Sequence, residues 1–133
     1  MPTLDNAQVF LTDLWATHAK FYPHKEAIIC GDVRRTWGDF DRNMSRVANQ
    51  LIADGIGRGD KVAVLMGNSV DILEIMYGVV RAGACVVPLS GLLTADQIEG
   101  LINDSGSIAI FCSESQREKV DQVRGKLGTI RDN

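Results

Sequence analysis

Residues that do chemistry are scarce in this chain. It has two histidines, His18 and His24, and three cysteines, Cys30, Cys85 and Cys112, with no Cys-x-x-Cys pair among them. The ligand spacing of a zinc site is missing, so no metal ligation is expected. Lys and Arg form no stripe: 14 basic and 17 acidic side chains leave a net charge of −3, which makes nucleic acid and anionic membrane poor partners. No apolar run approaches the length of a membrane span. Residues 1–8 are polar and acidic, without the basic start and apolar centre of a secretory signal. There is no internal repeat and no low-complexity tract.

At 133 residues the chain has room for one core; a domain near this size buries roughly 68–70% of its unfolded surface. Three apolar runs, residues 61–66, 84–89 and 107–112, alternate with helix-like segments. That order predicts an α/β fold, part of a doubly wound, mostly parallel sheet with helices on both faces. None of the runs alternates apolar with polar, so each strand is expected to be covered on both sides. The three cysteines fall in or at the ends of apolar runs, where Cys behaves as a small buried hydrophobe. Buried, reduced thiols and a cytoplasmic protein are expected.

Local signals place the elements. Asp5 with Gln8 starts a helix with Phe10, Leu14 and Phe21 on one side, ended by Pro23. Residues 26–30 and 33–35 form a hairpin turned by Gly31-Asp32. Thr36 and Asp39 cap an amphipathic helix whose buried side is Phe40, Met44, Val47, Ala48, Leu51 and Ile52, with Arg42, Arg46, Asn49 and Gln50 in water. A second helix runs from Val70 to Arg81, buried on more than one side. Pro88 stops the second core strand. Thr94 and Gln97 form a capping box for a helix that buries Ile98, Leu101 and Ile102, and Gly106 closes it. A charged helix over residues 113–127 turns Val120, Val123 and Leu127 inward, and residues 128–133 are a polar stub.

Two tempting glycine readings fail. The run Gly55-Ile56-Gly57-Arg58-Gly59-Asp60 contains Arg-Gly-Asp and resembles a phosphate loop, yet it precedes a strand and lacks a Gly-Lys-Ser/Thr ending. A helix C-cap and a turn account for it. Asn68 and Ser69 stand between a strand end and a helix start, where an anion can bind but capping is the commoner use.

Several stretches together resemble a known family. Thr36-Trp37-Gly38-Asp39-Phe40 is similar to the Thr-Tyr-x-Glu-Leu element near the amino terminus of adenylate-forming enzymes. The run from Val80-Arg81-Ala82-Gly83 to Val87-Pro88-Leu89 is similar to their Leu-Lys-Ala-Gly-x-x-Tyr-Val-Pro-Leu/Ile element. Residues 55–64 with Asn68-Ser69 resemble their Gly-x-x-x-Gly-Asp-x-Val-Ala and Asn-Ser sequences, and the likeness spans roughly residues 7–127. The resemblance implies the amino-terminal piece of an AMP-forming acyl-CoA synthetase: residues 1–133 as an incomplete part of the AMP-binding large domain, without the carboxy-terminal small domain. It implies ATP, CoA and Mg2+ as cofactors of the complete enzyme, and a carboxylic acid, fatty or aromatic, as substrate.

The family's Ser/Thr/Gly-rich loop ending in Lys-Gly, its aromatic-Gly-x-Thr-Glu element, its ribose-binding Asp and its small-domain Lys have no counterpart in this sequence. The chain by itself is therefore expected to hold no cofactor and to be inactive, with no catalytic residue of its own. Asn68, Ser69 and Ser90 are its weak candidates for cofactor contact. Where several members have Asn-Pro-Arg, this chain has Ser90-Gly91-Leu92; the Arg meets a CoA phosphate in some of them, and Leu92 is expected instead to pack against the next helix. Open sheet edges or bare helix faces are expected to make the piece self-associate. The alternative is a free-standing small α/β binding or interaction module; a receiver-type site is excluded because Met66-Gly67-Asn68 has no acidic residue.

Overall fold

The computed structural model describes residues 9–131. Along them run α1 (Leu11–Phe21), β1 (Glu26–Cys30), β2 (Val33–Thr36), α2 (Trp37–Ala53), β3 (Lys61–Leu65), α3 (Val70–Arg81), β4 (Cys85–Pro88), α4 (Ala95–Ser105), β5 (Ala109–Cys112) and α5 (Glu114–Val123), followed by a 3-10 turn, Arg124–Lys126. β1 and β2 are an antiparallel hairpin, and β3, β4 and β5 form a parallel sheet in the order β4-β3-β5. Asp5 and Gln8 lie outside the described residues.

β3 is the hub. Val62, Ala63, Val64 and Leu65 are all 0% exposed, and burial of a Val or Leu side chain is worth roughly 1.5–3 kcal/mol. Successive strand residues point to opposite faces. Ala63 and Leu65 pack with Ile98 and Ile102 of α4, Val120 and Val123 of α5, and Leu127. Val62 packs with Leu51 of α2, Val79 of α3, Ile56 and Ala84. The chain leaves β3 in one direction to reach β4, then reverses past β3 to reach β5. Right-handed crossovers in opposite directions put α3 and α4 on opposite faces.

The expected double cover holds for β3 alone. β4 and β5 are edge strands whose residues are half-buried or exposed, because each has one neighbour in the sheet. For the same reason Cys85 and Cys112 are exposed, and so is Cys30 on the hairpin; all three thiols are free. The expectation of buried cysteines is thus corrected: an apolar run marks a strand, not its place in the sheet. Ile52 and Leu101 are also exposed, at the solvent margins of α2 and α4.

The caps follow the sequence signals. Thr36 and Asp39 form a reciprocal capping box at α2, as do Thr94 and Gln97 at α4. Gly106 ends α4 with φ 69°, a left-handed conformation that a side chain disfavours. Residues 128–131 are no loose stub. Thr129 Oγ1 donates to Ser107 O, Arg131 N–H donates to Ile108 O, and Ile130 packs on the core around Ala63 and Leu65.

α2 and α3 are pressed together around Gly78. A Cβ there would lie 2.5 Å from the Val47 Cβ and 3.1 Å from Met44 O. Two polar locks flank this contact. Glu74, 7% exposed, accepts from Arg35 Nε (3.1 Å) and Asn43 Nδ2 (2.9 Å). Arg81 Nη1 pairs with Asp41 (2.8 Å) and donates to Ser45 Oγ (3.0 Å). α1 docks through an aromatic stack, with His18 on Trp37 at 4.7 Å and Trp15 on Tyr77 at 4.2 Å. Its other side, with Phe10 just ahead of it and Leu11, Leu14 and Phe21 along it, faces solvent.

Two outcomes are expected in urea unfolding. Gly78→Ala should lose about 1–3 kcal/mol through overpacking, with much of it recovered in Gly78→Ala/Val47→Ala; equal stability of Gly78→Ala and wild type would refute the close contact. The Asp39 carboxyl is held below its ordinary value of 3.8 by its hydrogen bonds from the Thr36 hydroxyl and backbone N–H, with help from Arg42 and Arg35. A lowered folded pKa contributes stability above the unfolded value and loses it as pH falls through the folded one. The stability gap between wild type and Asp39→Asn should therefore be full above about pH 3.8 and shrink below it; a gap that widens on acidification would contradict the capping pair.

Candidate functional site

In a doubly wound sheet the ligand crevice opens beyond the carboxyl ends of the strands, where the chain reverses direction. Here that point lies between β3 and β5, since α3 leaves to one face and α5 to the other. Three loops form the rim: residues 66–69 after β3, 89–94 after β4 and 113 after β5.

The rim brings the predicted residues to one end of the sheet with different duties. Ser69 caps α3, its Oγ accepting from Ile72 N–H at 3.3 Å. Asn68 is exposed, and its side chain makes no hydrogen bond among the described residues. Ser90 Oγ accepts from Leu92 N–H at 3.2 Å, tightening the loop after β4. That loop overturns one expectation. Leu92 is 94% exposed and packs against nothing on the following helix, because the Ser90 turn throws its side chain outward.

Other rim residues carried no sequence signal. Ser113 and Ser115 share a 3.0 Å hydroxyl contact at the start of α5. Lys119 Nζ donates to Gly91 O at 2.6 Å, tying α5 to the β4 loop. Gln116 lies against Gly91, and its Oε1 is shut off from solvent with no donor among the described residues. Ser113, Ser115, Gln116 and Lys119 all follow β5, and only topology brings them against Gly91 in the loop after β4; a Ser-x-Ser at a helix start reads in sequence as a cap.

The rim can hold and orient a polar ligand through hydroxyl, amide and backbone groups. It has no nucleophile paired with a base. Cys112, at the end of β5, is no candidate: partial desolvation, aided by the Asp121 charge, raises its thiol pKa, so little thiolate forms. Among the described residues no group of three or more His, Cys, Asp or Glu is placed to hold a metal ion.

The fold is a parallel α/β scaffold whose loops gather at the strand carboxyl ends. The chain matches the family model "AMP-binding enzyme" over residues 15–132, and it belongs to that family. It is 35% identical over 104 residues to the long-chain-fatty-acid–CoA ligase FadD13 of Mycobacterium tuberculosis, which covers 76% of this chain and 21% of that protein. To the fatty acid–[acyl-carrier-protein] ligase ScoC of Streptomyces coeruleorubidus it is 32% identical, over 80% of this chain and 20% of that one. The crystal structure of the N-terminal domain of FACL13 from Mycobacterium tuberculosis superposes with a TM-score of 0.88 at 30% identity, over 94% of this chain and 33% of that one. The chain thus spans about a fifth of the length of the curated relatives it matches.

Proposed function

We propose that residues 1–133 are part of the large domain of a carboxylate–CoA ligase, without its carboxy-terminal small domain. The observation that carries this is a family match running through nearly the whole chain, with relatives named as fatty-acid ligases. Those names favour a fatty acid over an aromatic one as the carboxylate. In the reaction a carboxylate oxygen attacks the α-phosphorus of ATP and the bond to pyrophosphate breaks. The CoA sulfur then attacks the acyl carbon of the adenylate, losing its proton, and AMP leaves. Mg2+ offsets the phosphate charge. The three free thiols favour a reducing compartment, the cytoplasm.

The chain's own part is positional. The β4-β3-β5 sheet fixes the rim, and on it Asn68, with its unengaged amide, is the first choice for cofactor contact. Ser69 and Ser90 stand behind it, each already using its hydroxyl in a local turn. Leu92 favours a second reading of the thiol acceptor. In place of an Arg that meets a CoA phosphate stands an exposed apolar side chain, and one relative is named for transfer to acyl carrier protein. Both acceptors present a thiol, and only CoA needs that phosphate contact.

The 133-residue chain alone holds no cofactor and does not catalyse. It self-associates, because α1 leaves Leu11, Leu14 and Phe21 in water and both outer strands keep an open edge.

The native polypeptide purified from its source should catalyse fatty-acid-dependent ATP–pyrophosphate exchange and pass the acyl group to CoA or to acyl carrier protein, while the 133-residue chain does neither. A native species of 14.5 kDa without exchange would instead favour the free-standing binding module. Light scattering of the 133-residue chain should give a mass that rises with concentration, and a constant monomer mass would end the self-association reading.

A further inference from the structure

α1 meets the rest of the fold along one narrow side. Thr12, Trp15 and Ala19 are its half-buried residues, and every other residue of the helix is exposed. On the outward side Phe10, Leu14, Thr17 and Phe21 follow at intervals of four, three and four residues, the spacing of the seam positions in a coiled coil. Phe10 is 60% exposed, Leu14 47% and Phe21 64%. An apolar stripe bared on this scale marks a contact surface.

The edge of the stripe says what covers it. Asp13 and Lys20 are seven residues apart, so they stand on the same edge two turns from each other. Both are exposed, and neither has an ion-pair partner among the described residues. Lys20 Nζ lies 5.5 Å from the centre of the Phe21 ring, which keeps its charge beside the seam. Two copies of this helix laid antiparallel about a twofold axis set like edges side by side with their directions reversed. Asp13 of each copy then faces Lys20 of the other, while Phe10 faces Phe21 and Leu14 faces Thr17. One helix carries both halves of the charge pair, so the surface complements itself.

We propose that the outward side of α1 is a self-association surface, on which a second copy of the chain packs its own α1 antiparallel. This rests on the self-association given above and assigns it to α1 instead of to the open strand edges. The seam is only about three turns long, which puts the pair at the weak end of specific interfaces.

Sedimentation equilibrium of charge-reversed variants tests the pairing, with far-UV circular dichroism to confirm that these exposed substitutions leave the fold intact. Asp13→Lys and Lys20→Asp each bring like charges together at both ends of the seam and should weaken association at least about tenfold. The double variant Asp13→Lys/Lys20→Asp exchanges both signs and should return to within about threefold of wild type. An equimolar mixture of the two single variants should form mixed pairs, because each supplies the charges that the other lacks. The unaltered chain gives a second measurement that needs no variant: carbodiimide treatment of mixed nitrogen-14 and nitrogen-15 copies should join Asp13 of one copy to Lys20 of another.

A constant monomer mass for the wild-type chain would remove this surface and the self-association reading together. Association that ignores both single reversals, or cross-links that never join Asp13 to Lys20 between copies, would overturn the α1 pairing alone and return association to the strand edges. A native polypeptide that stays monomeric where the 133-residue chain pairs would give the stripe to residues of the same polypeptide, and would overturn the proposal as well.

Discussion

Val62, Ala63, Val64 and Leu65 lose all solvent contact because helices reach them from both sides, and β4, β5 and the helices α2 to α5 are placed by the need to keep them covered. β4 and β5 occupy the two flanks of β3 and satisfy its backbone. α3 and α2 close one face, and α4 and α5 the other. Strands with one neighbour and one open edge cannot match this, which explains why β4 and β5 tolerate residues that β3 would not. The cysteines on their ends are exposed for that reason.

The polar contacts between α2 and α3 serve orientation more than net stability. A buried carboxylate such as Glu74 costs desolvation, and Arg35 and Asn43 do little more than offset it. Their geometry is demanding, however, and so is that of Arg81 with Asp41 and Ser45. With Gly78 against Val47 between them, the pairs admit one register of α3 on α2. That register sets where Ser69 and Asn68, at the head of α3, meet the rim.

Much of this was legible in the residues. Thr36 with Asp39 and Thr94 with Gln97 announce their helices because a capping box is local chemistry, and Gly106 announces its end because only glycine takes that backbone easily. Val70–Arg81 and the hairpin turn at Gly31-Asp32 read off for the same reason. What failed depended on partners distant in sequence. Nothing in residues 84–89 says that Cys85 lies on an outer strand, nothing near Leu92 says that the turn points it outward, and the apolar spacing that includes Ile52 and Leu101 does not say how far a neighbour reaches. Nothing near Glu74 in the sequence says that Arg35 and Asn43 come to it. The rim was half visible: Asn68, Ser69 and Ser90 stood out, while Ser113, Gln116 and Lys119 joined them only through the reversal of chain direction.

The order β4-β3-β5 also shapes the life of the nascent chain. Synthesis delivers the amino-terminal elements first, so β3 leaves the ribosome long before β5, which must cross over to reach its far side. Until α4 and α5 have followed, the face carrying Ala63 and Leu65 has no helix to cover it. α2 and α3 can settle early on the opposite face, since they flank β3 in the chain. The half-built domain is thus a sheet with one oily side bare, a surface suited to chaperones and to misassembly with neighbouring chains, and the pause before β5 emerges is its most exposed moment.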